Sequence, residues 1–134
     1  MSEGVLFTTV DNASAMAAYE PGRVKPVSVL KATGTNVVVF AFDAGTGLRE
    51  HVAQQPVLLQ VLEGELTVTF GNEVIKLRPG DLLHIEEGVT HSVEAAERAK
   101  LQLMVLMIDS PGPSKIPMEN FEHLGLKAKR ERED

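Results

Sequence analysis

The chain has no cysteine and no tryptophan, and only one tyrosine and five phenylalanines among its 134 residues. Without cysteine there is no disulfide framework, no thiolate metal site and no cysteine nucleophile, so packing alone must hold the fold. The redox compartment is left open. So few aromatic rings leave little on which bases could stack, and a formal net charge of −6 opposes a surface built to neutralise phosphates. Nucleic acid is therefore not expected as a partner. The N-terminus MSEGVLFTT lacks a basic start followed by a long apolar stretch, and no run approaches the roughly 20 apolar residues of a membrane span. The expectation is a soluble, cytoplasmic protein with no membrane partner.

What the chain does have is short apolar runs of strand length. They are VSVL (27–30), NVVVFAF (36–42), PVLLQVL (56–62), ELTVTF (65–70), EVIKL (73–77), DLLHI (81–85) and KLQLMVLMI (100–108). Turn signals at Gly64, Gly71-Asn72, Pro79-Gly80 and Gly88 separate them too closely for crossover helices. That spacing predicts an all-β, antiparallel sandwich or barrel. One domain is enough, since a chain this long removes about two-thirds of its unfolded surface from water.

The expected division is an N-terminal arm over 1–25, a barrel over 26–109, and a C-terminal segment over 110–134 that ends in a charged tail. In the arm, DNASAMAAYE (11–20) offers Asp11 or Asn12 as a helix cap before one or two helical turns, or forms an irregular strap. SPGPSKIP (110–117) reads as a linker and KAKRERED (127–134) as a solvated tail.

Three runs, VVVFAF, PVLLQVL and KLQLMVLMI, are apolar on both faces. An antiparallel sheet in a monomer usually wets one face. A homodimer is the expected cover, with the arm and the C-terminal segment of the same chain as the alternative.

The histidines carry the chemistry. His51 sits in GTGLREHVAQQPVLLQVLEGE (45–65), and His91 in GDLLHIEEGVTHSVEA (80–95). Gly45, His51 and Gly64 fit the first of the two sequence motifs of the cupin superfamily, while Gly80, Gly88 and His91 fit the second. The stretch VLEGELTVTFGNEVIKLRPGDLLHIEEGVTH is similar to small single-domain microbial cupins, and the resemblance spans roughly residues 35 to 108. It implies a jelly-roll, or double-stranded β-helix, barrel with a ligand site inside.

In metal-binding cupins two histidines and a glutamate of the first motif and a histidine of the second hold the ion. The matching positions here are His51, Ala53, Val57 and His91, so half the set is missing, including its carboxylate. Glu86 and Ala95 also stand where the second motif has proline and asparagine. His51 and His91 are the candidate metal residues, for a weakly bound nickel, manganese, iron or zinc ion, because two imidazoles fall short of the three or more protein ligands such ions take. Gln60 has the strand parity that turns it away from the cavity.

Three roles for the pair stay open: metal ligation, acid–base work on an organic ligand, or hydrogen bonding to the wall. Val57, Leu59 and Val61 are the expected apolar walls of a cavity for a small ligand. His84 is expected to project to the opposite face from Leu83 and Ile85, in a structural or interface role, and His123 has no motif around it. Glu63, Glu65, Glu86 and Glu87 flank turns and are expected to be plainly solvated. Met104 and Met107 read as core filler or interface residues, and Ser92 as facing away from His91. Two function classes follow: a metal-assisted enzyme of oxygenase or isomerase type, or a non-catalytic barrel that binds or senses a small molecule.

Overall fold

The structure is a computed structural model and describes residues 6–107. The linker at 110–117, the tail at 127–134 and His123 lie outside these residues.

Nine strands form in chain order: β1 (Val24–Ala32), β2 (Thr35–Phe42), β3 (Thr46–Val52), β4 (Val57–Glu63), β5 (Leu66–Phe70), β6 (Glu73–Leu77), β7 (Leu82–Ile85), β8 (Thr90–Ala95) and β9 (Ala99–Leu106). They make a five-stranded sheet in the order β1-β2-β9-β4-β7 and a four-stranded sheet in the order β3-β8-β5-β6. All strand pairs are antiparallel. The period of two decides which side chains go inside. Val57, Leu59 and Val61 of β4 are buried from one sheet, and Leu66 and Val68 of β5 with Val93 and Ala95 of β8 from the other. Together with Phe42, Ile85 and Leu101 they form one core between the sheets.

Each of the seven apolar runs becomes a strand. The segment TGLREHV, absent from those runs because Arg49 and Glu50 interrupt its alternation, forms β3.

The outer face of the large sheet is partly covered from within the chain. Residues 13–16 make a short 3-10 turn. Behind it Ala17 buries itself completely against Val39 and Ala41, with Tyr19, Val27, Val29 and Leu62 alongside. Asn12 does precede this turn, but its backbone is left-handed (φ 51°) and its side chain caps nothing, so the expected side-chain cap is not made.

The arm is held instead by a polar clasp. The Ser14 and Tyr19 hydroxyls both donate to the Glu63 carboxylate, each at 2.9 Å. The buried ammonium of Lys100 donates to the Ser14 carbonyl at 2.6 Å and lies 3.9 Å from Glu63. The Arg98 guanidinium stacks over the Tyr19 ring at 4.9 Å and pairs with Asp43 at 2.9 Å. Glu63 is thus not plainly solvated: hydrogen bonds from Tyr19 and Ser14 hold its carboxyl below the usual carboxylate range. Glu65 likewise pairs with Arg78 at 3.3 Å. The expectation of simple solvation fails at Glu63 because the arm brings donors to it, whereas Glu65 and its partner Arg78 both stay exposed to solvent.

Candidate functional site

β3 and β8 place His51 and His91 directly opposite one another. Their ring centroids are 4.3 Å apart and the rings meet edge to face at 60°. Parity alone would not do this. Leu48 faces Val93, and an unbroken strand would then set Glu50 opposite His91 and turn His51 outward. The register shifts between Leu48 and His51, where three steps along β3 match two along β8. This β-bulge at Arg49 and Glu50 re-aims His51 into the barrel. Gly47 permits the close strand approach just before it, since a Cβ there would overlap the carbonyl oxygen of Val93.

Both rings are anchored through Nδ1. In His51 this nitrogen lies 2.7 Å from the Arg49 carbonyl oxygen, and in His91 it lies 3.1 Å from that of Val89. A carbonyl only accepts, so each Nδ1 carries the hydrogen, and the neutral ring keeps its lone pair on Nε2. Neither Nε2 has a hydrogen-bond partner among the described residues. His91 is 5 % exposed and His51 is open to solvent. Burial pushes the His91 pKa down, the Val89 carbonyl opposes this, and charge on His51 adds to the lowering. Phe70 lies beside the pair, its ring 6.1 Å from that of His91.

The residues around the pair do not fit a resident metal. Ala53 and Val57 are both buried in the core cluster and offer only hydrocarbon. Among the described residues no group of three or more histidine, aspartate, glutamate or cysteine side chains could hold an ion. Gln60 offers no substitute, because it faces the outside of the large sheet, where Gln102 donates to it at 3.5 Å.

The expected walls need correction. Leu59 and Val61 are each 1 % exposed and belong to the packed core, so they fill the barrel rather than line a cavity. The apolar side chain beside the histidine pair is Phe70 instead. Two open concavities lie elsewhere. One of about 860 Å³ lies over the outer face of β3 and β8, around Gly47, Arg49, Thr67 and Glu94. Another of about 730 Å³ lies between Leu6–Thr8 and the end of β1. Neither is lined by His51 or His91.

The remaining sequence candidates separate cleanly. His84 is exposed on the outer face of β7, opposite Leu58. Ser92 pairs with Thr69 and shares its outward face. Met104 pairs with Leu58 on the outer side of the large sheet, and Met107 is 37 % exposed. Glu86 and Glu87 are exposed at the turn before β8. Sequence reasoning missed Gly47, Phe70 and the bulge. The odd spacing of Leu48 and His51 was the available signal for the bulge, and nothing in the spacing marked Phe70.

No curated protein matches the chain. Solved structures do. A cupin superfamily protein from Desulfitobacterium hafniense is 19% identical, with 75% of this chain and 100% of that one covered at a TM-score of 0.67. An RmlC-like cupin protein from Desulfovibrio desulfuricans is 23% identical over 75% of this chain and 97% of its own, also at 0.67. A conserved protein of unknown function from Streptococcus pyogenes is 17% identical over 79% and 93%, at 0.68. At such identities the likeness speaks for the fold. The family model for the cupin domain matches residues 38–108, nearly the whole of the region over which the resemblance was expected. With more than half the sequence matched and the double-stranded β-helix in place, this chain belongs to the cupin family.

Proposed function

We propose that this cupin binds a small molecule at the histidine end of its barrel, with His51 and His91 as the recognition element. The observation that supports this is the shared tautomer: both Nδ1 atoms are tied to backbone carbonyls, so each Nε2 keeps a lone pair that no protein donor meets among the described residues. Such a pair accepts hydrogen bonds from an N–H or O–H group, and its backbone anchoring means little ring entropy is lost on binding. The binding reading is favoured over the metal-assisted enzyme because Ala53 and Val57 supply neither of the two further ligands. Two imidazoles alone would hold nickel, manganese, iron or zinc only weakly.

Elemental analysis of untagged protein, wild type beside His51→Ala and His91→Ala, separates the two. Stoichiometric metal that both substitutions remove would decide for the enzyme, and sub-stoichiometric metal in all three is expected.

The same proposal includes a homodimer in the cytoplasm. Val37, Met104, Leu58 and His84 form a row across the outer face of the large sheet beyond the reach of the arm's cluster, and Leu82 near it is 56 % exposed. Light scattering at micromolar concentration is expected to give twice the chain mass; the mass of a single chain would refute it.

A further inference from the structure

Strand register lines up one outward-facing residue from each strand of the large sheet. Leu30 of β1 pairs with Val37 of β2, Val37 with Met104 of β9, Met104 with Leu58 of β4, and Leu58 with His84 of β7. With neighbouring strands about 4.8 Å apart, this row runs roughly 19 Å across the sheet and carries no carboxylate, ammonium or guanidinium. Since β9 is the middle strand, Met104 lies at its midpoint. None of the five belongs to the cluster of Ala17, Val39 and Ala41 through which the arm is seated.

Large apolar side chains stand exposed at both ends of this row. At the β1 end Leu6 and Phe7, which line an open concavity together with Leu30–Thr33, are 91 % and 80 % exposed. At the β7 end Leu82, on the same face as His84, is 56 % exposed. A lone exposed leucine is ordinary on a protein surface. Apolar groups gathered along one row make a contiguous patch of the kind that marks an interface.

Resting on the homodimer proposed above, we infer that a second copy of the chain covers this patch and that the two copies exchange arm tips. A twofold axis running along β9 over Met104 lays that residue on its own counterpart. Because the row extends equally to either side, the same axis sets the Leu30 end of one copy on the His84 end of the other. Leu6 and Phe7 then close over the second copy's β7 edge, at Leu82 and His84, and receive the same cover in return. One operation accounts for the exposed groups at both ends. Two phenylalanine rings of about 150–200 Å² each, with both copies of Leu6, of Leu82 and of the row, bring the buried total to roughly 1,200 Å², the size at which specific dimers form.

Because the chain has no cysteine, single introduced thiols report this geometry without background. Full-length Phe7→Cys and His84→Cys proteins are mixed, left to exchange subunits and treated with a short bismaleimide, which spans the roughly 10 Å between packed sheets. Mass spectrometry is expected to find the mixed link between the two variants in large excess over either variant linked to itself. Met104→Cys, on the axis, is expected to link to itself. Leu6→Ser/Phe7→Ser, at positions exposed in the single chain, is expected to keep the wild-type amide spectrum and to raise the dimer dissociation constant about tenfold or more in light scattering. A dimer that gives no mixed link, or that the serine variant does not weaken, overturns the exchange of arm tips and leaves the homodimer standing. In a chain carrying both His84→Cys and Phe121→Cys, a link within one chain would seat the segment after β9 on this face and overturn the exchange as well. A wild type with the mass of a single chain overturns this inference and the homodimer together.

Discussion

Gly47, paired with Glu94, passes so close to the backbone of Val93 that any side chain on it would occupy the space of the Val93 carbonyl oxygen. The pair sits immediately before the bulge that turns His51 inward, so the strand separation there sets the spacing of the two imidazoles. Gly47→Ala is expected to push β3 off β8, cost about 1–3 kcal/mol as overpacking does, and weaken or abolish the nuclear Overhauser contact between the rings. Gly34→Ala, at a left-handed turn with open space around it (φ 88°), is the comparison. It is expected to lower the melting temperature and leave the ring contact in place. An undisturbed ring contact in Gly47→Ala would show that β3 is positioned by something else.

Tyr19 is the sole tyrosine of a chain without tryptophan, so its phenol is a clean optical reporter of the arm. Burial, and then the hydrogen bond and charge of Glu63, raise its pKa from 10.0 to about 12, against the opposing charge of Arg98. Since the folded value lies above the unfolded one, this contribution to stability is complete below pH 10 and disappears as pH rises through about 12. Phenolate absorbance is expected to appear near pH 12 in the wild type and earlier in Glu63→Gln. Identical titrations in the two proteins would mean that the clasp does not form.

For His91 the sign is reversed. Its pKa is depressed below the ordinary 6.5, chiefly by burial, so below that pH the unfolded chain takes up a proton that the folded barrel resists. The contribution is complete above pH 6.5 and is lost as pH falls toward and through the lower folded value. Melting temperatures between pH 8 and pH 5 are expected to fall more steeply in the wild type than in His91→Asn. Parallel curves would assign the acid sensitivity to other groups.

Filling in the missing ligands tests the geometry of the site. Ala53 and Val57 are buried in the core beneath the mouth, so Ala53→His/Val57→Glu puts an imidazole and a carboxylate there at once. Without metal the double substitution is expected to cost roughly 3 kcal/mol, mostly for the unpaired buried carboxylate. Nickel, manganese or zinc at 100-fold above the dissociation constant is expected to return about 2.7 kcal/mol, because only the folded state presents the site. Melting curves with and without metal measure both effects. A melting temperature indifferent to metal would mean that these four positions do not converge.

How far the sequence could be read followed from where its signals were local. The alternation of Val57, Leu59 and Val61, and of His91, Val93 and Ala95, reports a period-two backbone directly, so the strands and their inward faces were legible. The inward direction of His51 came from the family motif, whereas its physical cause, the extra residue at Arg49 and Glu50, depends on pairing with a strand some forty residues away. Lys100 shows the same limit. In KLQLMVLMI it reads as the polar start of a strand, and only the arm packed over it, through Ser14 and Tyr19, makes a buried ammonium tolerable. The packed state of Leu59 and Val61 was also beyond pattern reading, since a lined cavity and a filled core share one alternation.

The central place of β9 in the large sheet, between β2 and β4, has a consequence for the order in which the protein can be made. β9 is the last strand of the described chain, yet β2 and β4 reach each other only through it. During synthesis the ribosome must therefore deliver residues up to Leu106 before that sheet can close, and until then β2 and β4 each carry an unpaired edge rich in valine and leucine. The arm, although synthesised first, has no finished surface to grip before Lys100 arrives. Closure of the large sheet thus waits on the last described strand, is dominated by long-range pairing, and is most exposed to edge-to-edge association in the interval before β9 inserts.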